Sequence, residues 1–360
     1  MLSLYTLRSL HSFAPPPWDH RNDSGGRSHT RLDKRDAPPT GTRAFPPVSP
    51  YCTLLEVRVD GASHIIQGSG IPHVIHLTRL RELMKKTIAH AKKNFSNSFY
   101  IFIDTADSSS CKDSSTRGYS HNPRYFETLQ QDTPLVFPFA ITGNVFQPLA
   151  ELSFPLPLHR YHQNMEQIMR VSDAIEYDQK LAKAVWHGAK SGYLAWSKVF
   201  APNMTRTPRD QIVRIGRENP GLLEASYERH PTTYFHNFKY VVTVSGNSWG
   251  NLLTEALWSN SVVLRQDPVM YSWYEGMLVP WTHYIPVAHD LSDLVARIQW
   301  AKTHTRECKQ MSQAARAFVK KHFNLAAELE YTYNVIEHKM PALVQLSGTL
   351  LSSKNRSSIV

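Results

Sequence analysis

Cysteine is scarce: Cys52, Cys111 and Cys308 are the only three in 360 residues. They are too few for a disulfide framework and too far apart for a local zinc motif. Buried free thiols fit best, and a secreted chain could hold one bridge with a thiol left over. Long apolar runs are missing as well. Nothing approaches the roughly 20 residues that span a bilayer, so no membrane span is expected. The opening "MLSLYTLRSLHSF" is broken by Arg8 and His11 and makes a poor signal peptide. The formal net charge is +10, yet the Lys and Arg residues are scattered without a dense basic block. That dispersion argues against a nucleic-acid partner and suits an anionic small ligand such as a nucleotide. No nucleophile motif and no metal-ligand cluster is visible. The 18 histidines are dispersed, and the pair in "HRYH", His159 and His162, stands beside prolines. No metal site is expected, and a phosphate-ester hydrolase finds no support.

What is present is ample core material: 41% of the residues are hydrophobic, with eight tryptophans, enough for two domains. Residues 1–50 are rich in Pro, Gly, Ser and Arg and read as a disordered leader. "TLLEVRVDGASHIIQ" reads as two short strands around an Asp-Gly turn. "LTRLRELMKKTIAHAKK" aligns Leu80, Leu83, Met84, Ile88 and Ala91 on one helical face. "SFYIFID" is a buried strand, a polar loop follows over 108–122, and "LVFPFA" is a further strand. "FPLPLHRYHQN", with two prolines, marks the crossing between two halves. "SDAIEYDQKLAKA" reads as helical. "KYVVTV", "SVVLRQD" and "THYIPV" read as strands, "WGNLLTEALW" as a helix and "YSWYEGML" as a short helix. Helices then cover 291–304, 306–322 and 324–339, and 343–360 is expected to be a loose Ser-rich tail. Alternating strands and helices indicate an α/β fold. Its expected domains are an N-terminal lobe over 51–165 and a C-terminal lobe over 166–342.

Within the second lobe, "KYVVTVSGNSWGNLLTEALW" is strand, glycine turn and helix. In open parallel sheets ligands sit beyond the carboxyl ends of strands, where helix N-termini offer free N–H groups to phosphates. Gly246 and Gly250 would let the backbone approach a pyrophosphate. Ordinary βα turns use the same residues, so the pattern alone leaves a purely structural turn open.

The wider segment "FKYVVTVSGNSW…SVVLRQDPVMYSWYEGMLVPWTHYIPVAHDLSDLVARIQWAK" resembles the signature of glycosyltransferase family 90. That family includes the Rumi-type protein O-glucosyltransferases and the fungal capsule-associated xylosyltransferases. The resemblance extends through "VWHGAKSG", "PRD" and "FIDTADS" and covers about residues 97–338. It implies two Rossmann-like lobes of GT-B type, the first binding the acceptor and the second the nucleotide sugar. It also implies an inverting transfer of glucose or xylose from UDP-glucose or UDP-xylose to a protein or glycan hydroxyl, without metal or other cofactor. The implied compartment is the endoplasmic reticulum or Golgi lumen. Four sequons, Asn22, Asn94, Asn203 and Asn355, are compatible with it.

Such chemistry needs a carboxylate to take the acceptor proton and fixed positive charge or N–H dipoles to hold the leaving UDP. The family match puts the catalytic base at Asp107, with Asp104 where the family usually has Asn. It assigns nucleotide-sugar binding to Gly188, Lys190 and Ser191 around Ala189, to Arg209, and to a second turn of Gly246, Asn247, Ser248, Trp249 and Gly250. Arginine suits a diphosphate because its planar fork can hold two oxygens, although Arg209 beside Asp210 also fits a surface ion pair. His283 and Tyr284 are expected to be structural. The departures from the family pattern are Gly250 and Leu252, where serine and arginine are usual, or, with the match shifted by two so that Ser248 aligns with the serine, Gly250 where the arginine belongs; and His187, where arginine is frequent. Arg209, Lys190 and Arg265 are then the cations expected to serve the phosphates. A protein of this family that has lost turnover and acts as a carbohydrate- or protein-binding module is the competing reading.

Overall fold

The computed structural model describes residues 52–67, 74–104, 136–137, 141–142, 156–157, 170–173, 175–192, 194–246, 251–268 and 270–357. The expected leader, Asp107, the pair His159 and His162, and the turn residues Asn247, Ser248, Trp249 and Gly250 lie outside them.

The first region is built on a hairpin. Strand β1 (Cys52–Val57) pairs antiparallel with β2 (Ser63–Gln67) and, on its other edge, with β3 (Phe99–Asp104). At the turn, Asp60 accepts from the Ala62 N–H at 3.0 Å, and Gly61 takes a positive φ of 79°. That conformation is one glycine adopts without strain. Strand β4 (Val136–Phe137) runs parallel to β3, giving the order β2-β1-β3-β4. Helix α1 (Val74–Ala91) covers this sheet as its apolar spacing predicts: Leu80, Leu83 and Met84 are buried, with Ile88 and Ala91 packed at the margin.

The second region is a five-stranded sheet of β6 (Leu181–His187), β7 (Leu223–Ser226), β8 (Phe238–Thr243), β9 (Val262–Gln266) and β11 (Ile285–Val287). All pairings are parallel, in the order β11-β9-β8-β6-β7. Alternate residues serve two cores. Trp186, Tyr240, Val242, Val262 and Leu264 face one, and Val185, Val241 and Val263 face the other. Burial on both faces explains why "KYVVTV" and "SVVL" are nearly continuous apolar runs. Helices α3 (Pro208–Glu218) and α5 (Leu294–Thr303) pack on the first face, and α4 (Asn251–Trp258) on the second. Helix α6 (Thr305–His322) contributes Cys308 and Met311 to one core and Phe318 and Val319 to the other. Cys308 is a buried free thiol. Helix α2 (Leu194–Phe200) follows β6, and a two-residue bridge pairs β5 (Ile141–Thr142) with β10 (Met270–Tyr271).

Two expectations need correction. "LAKA" within the segment read as helical is the first half of β6. Alanine and lysine favour helix locally, but Ala184, Val185 and Trp186 fill a central strand flanked by β7 and β8, and tertiary burial overrides that preference. The second concerns the C-terminal segment. Helix α7 spans Leu325–Ser357, so 343–357 is helical where a loose tail was expected. Its Leu329, Tyr333, Ile336, Met340 and Leu343 share one core with α1, β1 and β3. Tyr333 stacks on Phe95 and donates to the Asn94 carbonyl at 3.1 Å, and the Ser96 N–H donates to Glu337 at 2.8 Å. Apolar residues at helical spacing, given a sheet face to cover, hold the helix in place as far as Leu343.

No helix among the described residues is long and apolar enough to cross a membrane.

Candidate functional site

Counted from β6, the parallel sheet has the order 2-1-3-4-5, a doubly wound arrangement whose connections diverge between its first and third strands. Here those strands are β6 and β8. The turn after β6 contains Gly188, Ala189, Lys190, Ser191 and Gly192, and the turn after β8 begins with Ser245 and Gly246. The two turns touch. Gly192 has a φ of 108°, and a Cβ added there would lie 3.5 Å from the Gly246 carbonyl oxygen.

Arg209 braces this junction from the first turn of α3. Thr207 caps that helix: its hydroxyl accepts from the Asp210 N–H at 3.2 Å and donates to the Asp210 carboxylate at 2.8 Å, with Pro208 at the first helical position. The Arg209 Nη1 donates to the Ala189 carbonyl at 2.7 Å and the Ser191 hydroxyl at 2.6 Å. Its guanidinium lies against Gly246, where an added Cβ would come within 2.9 Å of Cζ, and 5.8 Å from the centre of the Trp186 ring. The ion pair that adjacency suggested for Asp210 is replaced by another partner. Asp210 accepts from the Tyr227 hydroxyl at 2.5 Å. That bond, aided by Thr207 and nearby cations, holds the Asp210 carboxyl below its usual range against the cost of burial.

The expected donor-site residues Gly188, Lys190, Ser191, Arg209 and Gly246 therefore come together at one point. Lys190 is exposed there, its Nζ 5.9 Å from the Tyr227 ring centre. Asp104 ends β3 in the other sheet.

The structure commits three of the side chains raised by the sequence to other partners. His187 is buried, with Nδ1 2.8 Å from the Ser226 hydroxyl and Nε2 3.1 Å from the Glu224 carboxylate. Burial pushes its pKa below the ordinary value, only partly offset by Glu224. It is a neutral bridge to β7, not a replacement cation. Arg265 is buried in an ion pair with Glu275, beside the Tyr284 ring, so it departs from the expectation of a phosphate ligand. Leu252 packs at the margin of both cores of the sheet. His283 and Tyr284 are structural, as expected: His283 Nδ1 accepts from the Val279 N–H at 2.8 Å, and Tyr284 is buried.

Sequence reasoning missed Gln266. Buried at the end of β9, it accepts from the Ser245 N–H through Oε1 at 2.7 Å and donates through Nε2 to the His289 carbonyl. It pins the glycine turn to the loop after β11. "RQD" at a strand end was the available signal, but a glutamine carries no pattern that names its partner.

The sequence model "Glycosyl transferase family 90" matches residues 145–344, more than half of the chain, and includes both turns and Arg209 but not Asp107. The chain is 29% identical over 163 residues to zebrafish (Danio rerio) protein O-glucosyltransferase 2, covering 41% of this chain and 30% of that protein. It is 30% identical over 134 residues to human protein O-glucosyltransferase 3, covering 32% and 26% respectively. The chain thus spans less than a third of the length of these relatives. Among solved structures it is similar to Anabaena HepE crystallised with UDP, at 10% identity and a TM-score of 0.38, covering 61% of this chain and 68% of that one. With the signature segment, the two turns and the brace all inside the matched region, the chain belongs to glycosyl transferase family 90.

Proposed function

We propose that this protein is an inverting, metal-independent glycosyltransferase of GT-B type that moves glucose or xylose from a UDP-sugar to a hydroxyl of a protein or polysaccharide acceptor. The observation that carries this reading is the junction of the Gly188–Gly192 turn with Ser245 and Gly246 at the β6/β8 divergence, braced by Arg209. Backbone N–H groups at the start of α4 and the charges of Arg209 and Lys190 would offset the negative charge that grows on the leaving diphosphate. Asp107 would take the proton from the acceptor hydroxyl as its oxygen bonds to the sugar C1, the C1–O bond to UDP breaks, and the anomeric centre inverts. Glucose is the sugar named for the O-glucosyltransferase relatives, and the family resemblance adds xylose as the alternative and the endoplasmic reticulum or Golgi lumen as the compartment.

A second reading has its own observation. His187 and Arg265 are committed to Glu224 and Glu275, and Leu252 stands where the family usually has arginine. With those cations absent from the phosphates, a carbohydrate- or protein-binding module is the competitor. Release of UDP from UDP-glucose and UDP-xylose, in chelator and with mixed protein and glycan acceptors, separates the two. Turnover above a heat-treated control that is abolished in Asp107→Asn is the expected result. Binding of the UDP-sugar with no turnover would replace the enzyme by the binding module, and activity restored only by manganese would overturn metal independence.

A further inference from the structure

Beyond the ends of β9 and β11, His289 is buried, and the carbonyl of its own backbone is held by Gln266, whose other end holds Ser245. Its Nδ1 lies 2.8 Å from the Asp267 carbonyl oxygen. A carbonyl can only accept, so Nδ1 carries the proton and, in the neutral ring, Nε2 presents a lone pair. That Nε2 is buried without a hydrogen-bond partner among the described residues. A buried polar atom left unmade is costly, and such an atom calls for an explanation. Other buried nitrogens also lack partners among the described residues, including Nε1 of Trp258, Trp273 and Trp300 and Nδ1 of His236. His289 differs from them in position: it stands past the carboxyl edge of the parallel sheet, where ligands of doubly wound folds bind, one side chain removed from the Ser245–Gly246 turn. The ring of Phe200, which closes the helix after the Gly188–Gly192 turn, lies 5.2 Å from the imidazole centre. The end of α2 and the loop after β11 therefore meet at this ring.

We propose that His289 is a further recognition residue of the site, its Nε2 accepting a hydrogen bond from a hydroxyl of the bound nucleotide sugar. The proposal rests on the UDP-sugar reading above. An acceptor in this place selects a hydroxyl donor over a phosphate oxygen, and both the ribose and the transferred sugar supply such hydroxyls. Calorimetric titrations of the full chain with UDP-glucose and with UDP provide the test, using wild type, His289→Asn and His289→Gln. The asparagine amide can keep the bond to the Asp267 carbonyl while deleting the Nε2 position, and glutamine restores a polar group near that position.

The expected result is that His289→Asn, with an unchanged melting temperature, binds UDP-glucose about three- to tenfold more weakly, the range for one net hydrogen bond, and that His289→Gln regains part of the loss. A loss confined to UDP-glucose assigns the transferred sugar, and an equal loss for UDP assigns the ribose. Wild-type affinity for both ligands in folded His289→Asn would overturn the proposal while leaving the UDP-sugar reading intact. Failure of wild type to bind either ligand would instead defeat that reading, and this proposal with it.

Discussion

At the amino end of the five-stranded sheet, polar groups are buried and spent on one another; at its carboxyl end, bonded polar groups such as Gln266 and His187 stand beside glycine turns and an exposed lysine. Before β6, the Lys180 ammonium donates to the Ser259 carbonyl and, at 2.9 Å, to the Ser261 hydroxyl, which itself donates to the Phe238 carbonyl. The Ser172 hydroxyl donates to the Trp258 carbonyl at 2.9 Å. Together these bonds tie the starts of β6, β8 and β9 to the end of α4. After β6 and β8 the chain instead places Gly188, Gly192 and Gly246 around Arg209 and exposed Lys190. The same strands thus carry a structural clamp at one end and a candidate ligand cradle at the other. Polar character alone does not mark a site; the difference is that glycine turns and an exposed lysine accompany the bonded groups at the carboxyl end only.

That contrast is broken most strongly at the clamp. Lys180→Ala strands a buried carbonyl and hydroxyl and opens a cavity, and is expected to cost about 2–4 kcal/mol in chemical denaturation while leaving UDP affinity unchanged in the folded fraction. A large loss of UDP affinity with intact stability would reverse the roles of the two ends.

The clamp also predicts a dependence on acidity. Burial, followed by the charges of Lys180 and Arg316, lowers the His236 pKa from 6.5 to about 4. The folded state therefore resists protonation that the unfolded chain accepts. The stability involved is present above pH 6.5 and lost as the pH falls from there toward 4, on the order of 2–3 kcal/mol. His236→Phe should flatten this part of the stability profile between pH 7 and 4. An unchanged slope would remove His236 from the clamp.

Leu252→Arg sharpens the comparison from the other end, because it supplies the cation usual in the family at a position where the structure has leucine against both cores. Its packing predicts a loss of about 1–2 kcal/mol, measured as a lower melting temperature, together with tighter UDP binding. Unchanged stability would mean that the leucine contributes little to either core.

What could be read beforehand follows the same division. Gly188, Ser191 and Arg209 were singled out through the family resemblance, whereas Gly246 also stood out as a glycine between strand and helix; that the two turns meet follows from a general rule of doubly wound sheets. The helical face of α1 was legible through Leu80, Leu83 and Met84. Arg265 was grouped with the phosphate cations because the sequence does not show that the fold turns Glu275, ten residues on, back to pair with it. Gln266 and His289 were silent for the same reason: each acts through a backbone group of a distant loop. The first half of β6 was misassigned because Ala182, Lys183 and Ala184 carry a helical preference that only the neighbouring strands overrule. Helix α7 was cut short because Met340 and Leu343 gain their value only from a core shared with a sheet that lies far earlier in the chain, and because serines follow them.

The most direct test of the carboxyl-end site is a calorimetric titration of UDP, in chelator, into wild type and Arg209→Ala. Arg209 bridges the first turn by hydrogen bonds and packs on Gly246 of the second, and a guanidinium bond to a diphosphate contributes roughly 1.5–3 kcal/mol. The expected result is micromolar to millimolar binding by wild type and at least about tenfold weaker binding by the variant at unchanged melting temperature. Equal affinity in the two folded proteins would contradict the placement of the diphosphate at the β6/β8 junction.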